Sequence, residues 1–202
     1  MADFLDEVRF NKEEESDITA KYIKDISLTD TDLSKVCFRK SIFENSKFSH
    51  CLFRKTDFVD VVFKSCDFSN SNFTDGYFNR CRFESCKGVG ANFTNGMWKQ
   101  ISMLGSNFIY SNFTSAKLSD VSIGECDMSY SMFEECRIKD VEWSDVKLIN
   151  ASFFKTPLKG MDFSDSQIDG IVLSGEELKG VIVNACQAAD LARLLGLIVK
   201  QD

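Results

Sequence analysis

Large apolar side chains recur at every fifth residue of this chain. From Ile18 the series runs Ile18, Ile23, Leu28, Leu33, then ten successive phenylalanines from Phe38 to Phe83, and it continues through Phe93, Trp98, Met103, Phe108 and Phe113 to Val183. Of the 34 positions in this column 33 are large and apolar, Gly88 being the exception, and two residues earlier in each quintet 28 of 34 are Gly, Ala, Ser, Cys, Thr or Val. The remaining three positions are mostly polar, as in CDFSN, SNFTD and CRFES. A period of five fits neither the 3.6-residue helix nor the 2-residue strand, so neither element keeps the pattern on one face. The chain must therefore turn at every quintet. With the large and the small residue inward and the other three outward, each quintet becomes one side of a coil. A single coil cannot bury its own apolar row, so coils stack at ~4.8 Å and pair backbone to backbone.

The pattern fails at both ends. Residues 1–15 lack the repeat, and NKEEES is a charge run without apolar periodicity, so this segment is expected to be a mobile or capping lead-in. After Val183 the period changes: Leu191, Leu194, Leu195 and Ile198 fall at i, i+3, i+4 and i+7, the spacing of an amphipathic helix. Such a helix caps the last coil or, given its leucines, joins two rods about a two-fold axis. The expected organisation is a lead-in at 1–15, repeats at 16–183 and a dimerisation helix with its tail at 184–202.

The quintets resemble the pentapeptide-repeat pattern, a small residue, then Asp or Asn, then Leu or Phe, then two polar residues. That resemblance implies an all-β fold, a right-handed quadrilateral parallel β-helix of four quintets per coil, with a C-terminal α-helix. The repeats would make about 8.5 coils and a rod roughly 40 Å long. The closing run ELKGVIVNACQAADLARLLGLIV further resembles the Qnr quinolone-resistance proteins, in which a final coil leads to a Gln-Ala helix and a Leu-Gly-hydrophobic tail that pairs two rods. Matching positions are Leu178, Gly180, Gln187, Ala188, Leu191, Leu195, Gly196 and Val199. Gly88, within SCKGVGANF, falls where those proteins also interrupt their stack; a single tolerated repeat defect would look the same. Many Qnr proteins extrude loops between coils, whereas here the frame runs from 18 to 183 without insertion.

Composition narrows the chemistry. The eight cysteines would suggest a framework, but Cys51, Cys66, Cys81, Cys86, Cys126 and Cys136 all occupy the small inward column and read as small hydrophobes. Cys66 and Cys86 would stack one coil apart as thiols. One histidine, His50, and no clustered ligands leave no expected metal site. No catalytic constellation is present, so neither an enzyme nor a cofactor is expected. The amino terminus MADFLDEVRF is acidic without an apolar h-region, no span approaches ~20 apolar residues, and a cytoplasmic protein is expected.

Charge supplies the functional expectation. The chain carries a net charge of -7, with a net of -1 over residues 1–100 and -6 over 101–202, which disfavours direct contact with nucleic acid or an anionic membrane. At 20 residues per coil Glu125, Asp145 and Asp165 form one column, Asp120 and Asp140 a second, Glu142 and Asp162 a third, all flanking one face. Like charges ~4.8 Å apart repel by up to roughly 1 kcal/mol per pair in water, a cost without a folding rationale. Such a strip fits a basic partner. Joined to the Qnr resemblance, it implies a homodimeric DNA mimic that binds DNA gyrase, and possibly topoisomerase IV, and protects it from fluoroquinolones or modulates it. The alternative from the residues alone is a repeat scaffold that binds an unrelated protein.

Overall fold

The computed structural model describes residues 2–194 and 196–200. Helix α1 (Ala2–Glu13) leads into a parallel β-solenoid, and helix α2 (Ala185–Leu194) closes it. Every strand pair is parallel and joins residue i to i+20, as in Ile18↔Phe38, Phe43↔Phe63 and Leu118↔Ile138. Four quintets therefore make each coil. The corners explain the period: every fifth residue from Glu15 to Lys155 has a positive φ, with glycines at 90 and 105. A left-handed residue costs an L-amino acid about 1–2 kcal/mol. That cost is offset because the corner N–H reaches a carbonyl of the next coil, as in Lys40 N to Val59 O at 2.9 Å and Ser65 N to Glu84 O at 2.9 Å.

Inside, the fifth-residue column forms aromatic stacks. Phe53, Phe73, Phe93, Phe113, Phe133 and Phe153 follow one another at 4.6, 4.9, 4.9, 4.8 and 5.1 Å between ring centroids. Gly88 is not an empty defect. A Cβ there would lie 2.4 Å from the Phe108 ring, which occupies the space and packs edge-on to Phe83 at 6.1 Å. All eight cysteines are free thiols. Burial pushes the pKa of Cys81 and Cys136 up to about 12 and that of Cys126 up to about 11, as expected for thiols that pack rather than react.

Both ends are capped. The lead-in is the helix α1, whose Phe4 and Val8 are buried and whose Phe4 ring lies 6.4 Å from Phe38. Charged residues interspersed among Phe4, Leu5, Val8 and Phe10 concealed this; the i, i+4 pair Phe4 and Val8 was the available signal. At the other end Asn184 caps α2: its Oδ1 accepts the Gln187 N–H at 3.0 Å, and Gln187 Oε1 accepts the Asn184 N–H at 2.9 Å, a reciprocal capping box. Gln187 Nε2 also donates to the carbonyls of Phe163 and Ser166, both at 2.7 Å, which fastens the helix to the last full coil. Just before it, Glu177 is buried and accepts backbone N–H groups from Lys155 at 2.7 Å, Ser174 at 2.9 Å and Gly175 at 3.0 Å.

Regular strand pairing is shorter than the quintet count. On one face it makes six coil-to-coil steps, from Asp17 through Cys37, Asp57, Tyr77, Met97 and Lys117 to Arg137, fewer than the about 8.5 coils expected. Beyond, the chain coils on through isolated bridges such as Lys147↔Gln167, Ser152↔Val172 and Asp162↔Ile182. The ladder stops where Pro157 occupies the position at which Asp57, Tyr77, Met97, Lys117 and Arg137 each donate an N–H to the preceding coil. Proline has no N–H to donate.

Candidate protein-interaction surface

All seven acidic residues of the expected strip, Asp120, Glu125, Asp140, Glu142, Asp145, Asp162 and Asp165, are exposed. Their columns are regular below the Pro157 coil: Ser119↔Lys139 and Val121↔Val141 pair beside Asp120 and Asp140, and Glu125 N bonds Ser144 O at 2.9 Å. Above it they are not adjacent rungs. Among the described residues no backbone bridge joins Glu142 to Asp162 or Asp145 to Asp165, and Glu142, Asp162 and Asp165 line a groove with Val141, Trp143, Gly160 and Ser164. The expected spacing of ~4.8 Å is thus lost at this step because the ladder is broken there. Ser164 donates its N–H to Asp162 Oδ1 at 2.9 Å, and its hydroxyl and backbone hold the Asp162 carboxyl below the usual range. Ser144 Oγ bridges the groove to Asp165 Oδ2 at 3.3 Å.

The strip lacks neutralising partners. Among the described residues only Asp140 is ion-paired, to Lys139 at 3.7 Å. In the first half, acids and bases pair between coils instead: Arg80 with Asp60 at 2.6 Å, Lys24 with Glu44 at 2.7 Å, and Arg39 with Asp17. Exposed pairs contribute little stability, but they cancel field. The second half also segregates its cations, which summing charge over the half concealed. Lys117, Arg137, Lys159 and Lys179 are exposed, without an ion pair among the described residues, and with Lys99 just before this half they fall in two adjacent columns of the 20-residue coil, on the face next to the acidic one. The rod is two-signed there. Plotting residues by their place in the 20-residue coil would have revealed it.

The C-terminal leucines divide. Leu191 is buried against the last coil, so it serves the cap. Leu194 is 55% exposed on α2, and Ile198, 94% exposed, lies beyond the end of that helix. Leu195 lies outside the described residues. Among the described residues no helix is long and apolar enough to cross a membrane, and no group of three or more His, Cys, Asp or Glu could hold a metal ion.

A parallel coil with left-handed corners every fifth residue, a phenylalanine interior and charge displayed only outside defines a solenoid whose chemistry is confined to its surface. The family model described as "Pentapeptide repeat region" matches residues 56–126 and 98–173, together more than half of the chain. The chain belongs to the pentapeptide-repeat family. No curated protein matches its sequence. Among solved structures it is similar to a trypsin-treated variant of QnrB1, a plasmid-mediated fluoroquinolone resistance protein, at 20% identity and a TM-score of 0.43, covering 90% of this chain and 100% of that one. It is similar also to HetL, involved in heterocyst differentiation regulation in the cyanobacterium Nostoc sp. strain PCC 7120, at 16% identity and a TM-score of 0.41, covering 87% and 95%. A third is Rfr23 from the cyanobacterium Cyanothece 51142, at 7% identity and a TM-score of 0.30, covering 89% and 99%.

Proposed function

We propose that this protein mimics DNA and binds DNA gyrase, and possibly topoisomerase IV, protecting it from fluoroquinolones or modulating its activity. The observation that carries the reading is the acidic strip of residues 120–165, which is exposed and almost without ion-pair partners, while the first half neutralises its charges between coils. Carboxylates on a slender rod stand where a duplex presents phosphates, and a basic saddle built for DNA accepts either. The resemblance of the 177–199 segment to the Qnr ending selects the topoisomerase. Two rods joined through their C-terminal ends, with Leu194 and the exposed tail as contacts, bring both acidic halves to the centre. On this reading the protein is a cytoplasmic binding module and not an enzyme, and it does not touch nucleic acid itself.

The test is gyrase supercoiling with purified protein, with and without a fluoroquinolone. Relief of drug inhibition at moderate protein concentration, or inhibition of supercoiling at higher concentration, is expected. No effect in either arm removes the topoisomerase and leaves a repeat scaffold with another partner. Sedimentation of the intact chain tests the assembly separately: a dimer that Leu194→Asp converts to monomers is expected.

A further inference from the structure

At nearly every coil the corner residues on either side of the acidic face donate their N–H groups to the coil above. Lys40 reaches Val59 O, Asp60 reaches Asn79 O and Arg80 reaches Lys99 O at 2.9, 2.9 and 3.0 Å; Ser85, Gly105 and Glu125 do the same at 3.0, 3.1 and 2.9 Å. Asp140 and Asp145 occupy the next corners, and among the described residues neither donates to a backbone carbonyl of segment 157–165. The strand between them, Arg137–Ser144, pairs only with Lys117–Gly124 below. The upper lip has also left the pattern: Asp162 makes no bond to the Val141 carbonyl, where Arg82 bonds Val61 at 3.0 Å and Ser102 bonds Cys81 at 3.1 Å. Asp165 is the one corner between residues 15 and 180 without a positive φ. On the other two faces the coil stays closed, with Gln167 N to Val146 O at 2.8 Å and Phe153 N to Val172 O at 2.8 Å. The solenoid is therefore unpaired over one coil step on two adjoining faces, one at Arg137–Lys139 and one within the acidic strip between Asp140 and Asp145.

We infer that this opening is a docking slot for an extended, basic peptide segment of the partner, which pairs with the free upper edge of the Arg137–Ser144 strand. An unpaired edge is a template for an added strand, in which main-chain bonds supply affinity and flanking side chains select sequence. Along the Asp140–Ser144 part of this edge the flanking side chains are Asp140, Glu142 and Asp145 on one lip and Asp162 and Asp165 on the other, whereas Arg137, Lys139 and Lys159 flank its start, so the added strand carries lysine or arginine over the part that faces residues 140–145. The inference deepens the proposed function, because slot and acidic strip coincide. It adds a directional, backbone-mediated contact to a surface otherwise read as a field alone.

Hydrogen exchange on the full-length protein tests it, with two ten-residue probes: alternating lysine and valine, and the same peptide N-methylated at alternate backbone amides. In the free protein the amides of Asp140 and Asp145 exchange at least about tenfold faster than that of Glu125, which donates to Ser144 O. The unmethylated peptide slows them; the methylated one, with the same charge, does not. The inference is overturned if both peptides protect equally, which is charge adhesion alone, if neither protects, or if Asp140 and Asp145 already exchange as slowly as Glu125. Failure of the parent reading looks different. Protection by the peptide with no effect on gyrase supercoiling leaves the slot standing and removes the topoisomerase; a gyrase effect without protection does the reverse.

Discussion

Phe68 shows what one inward side chain contributes. Its ring lies parallel to Phe48 at 5.5 Å and meets Phe63 and Phe73 edge-on at 5.3 and 5.6 Å, with 1% of the residue exposed. Phe68→Ala leaves a cavity between rings held by backbone pairing on both sides, and a loss of ~3 to 5 kcal/mol in denaturant unfolding is expected. Lys64→Ala, which removes an exposed pair with Glu84 at 3.6 Å, should cost under ~0.5 kcal/mol in the same measurement. Glu177 behaves differently. Burial by itself would push its carboxyl up, but hydrogen bonds from its own backbone, Lys155 and Ser174 outweigh this and hold it below the ordinary value of 4.5. A lowered folded pKa adds stability that is fully present above the unfolded value and is lost as pH falls through the folded one. The expected outcome is that Glu177→Gln is less stable than wild type by ~1 to 3 kcal/mol at neutral pH, and that the gap between their melting curves closes as pH falls through the lowered folded value.

At the scale of elements, both helices act as lids on a stack that cannot end without exposing an apolar coil and an unpaired edge. Helix α1 does this with Phe4 and Val8, helped by an ion pair between Lys21 and Glu7 at 2.6 Å. Val8→Asp places a charge over the first coil. It should lower the melting temperature and increase dye binding to exposed apolar surface, whereas Phe10→Asp, at a position 61% exposed, should do neither. The repeat itself was legible element by element, because left-handed corners and inward rings leave a five-residue signature. Helix α1 was not, since its apolar face is two buried residues wide. The fate of Leu191 was also hidden: a stripe of leucines reads the same whether it faces the last coil or a second rod.

Over the whole molecule, charge is sorted by face in the second half and partly paired between coils in the first. Replacing Glu142, Asp145 and Asp165 with Lys should abolish any effect on gyrase supercoiling while leaving the fold intact, since all three are exposed and none is ion-paired among the described residues. The matched control replaces Asp25, Asp30 and Asp75, which are exposed in the nearly neutral half, and should act close to wild type. Raising salt from ~50 to ~200 mM should weaken the wild-type effect strongly, because exposed charges are screened over a Debye length of ~10 Å or less. Two triple variants that both act like wild type would leave the DNA-mimic reading without its basis.

The amino-acid pattern alone determined the solenoid: a period of five with a large and a small inward residue fits neither a continuous helix nor a continuous strand, and it specifies most of the buried side chains between Leu33 and Ile171. It also located the acidic residues and the change of period that announces α2. Only the tertiary structure decided where the coil fails to close. Pro157 looks like one polar-position residue among many until the ladder shows that its position must donate an N–H, and the loss falls one coil below it, at the carbonyl of Cys136 beside Arg137. Gly88 is similar, for its neighbour is Phe108 in the next coil. Periodicity states which way a side chain faces, whereas what it meets there is set by residues one coil distant, and that pairing exists only once the chain has folded.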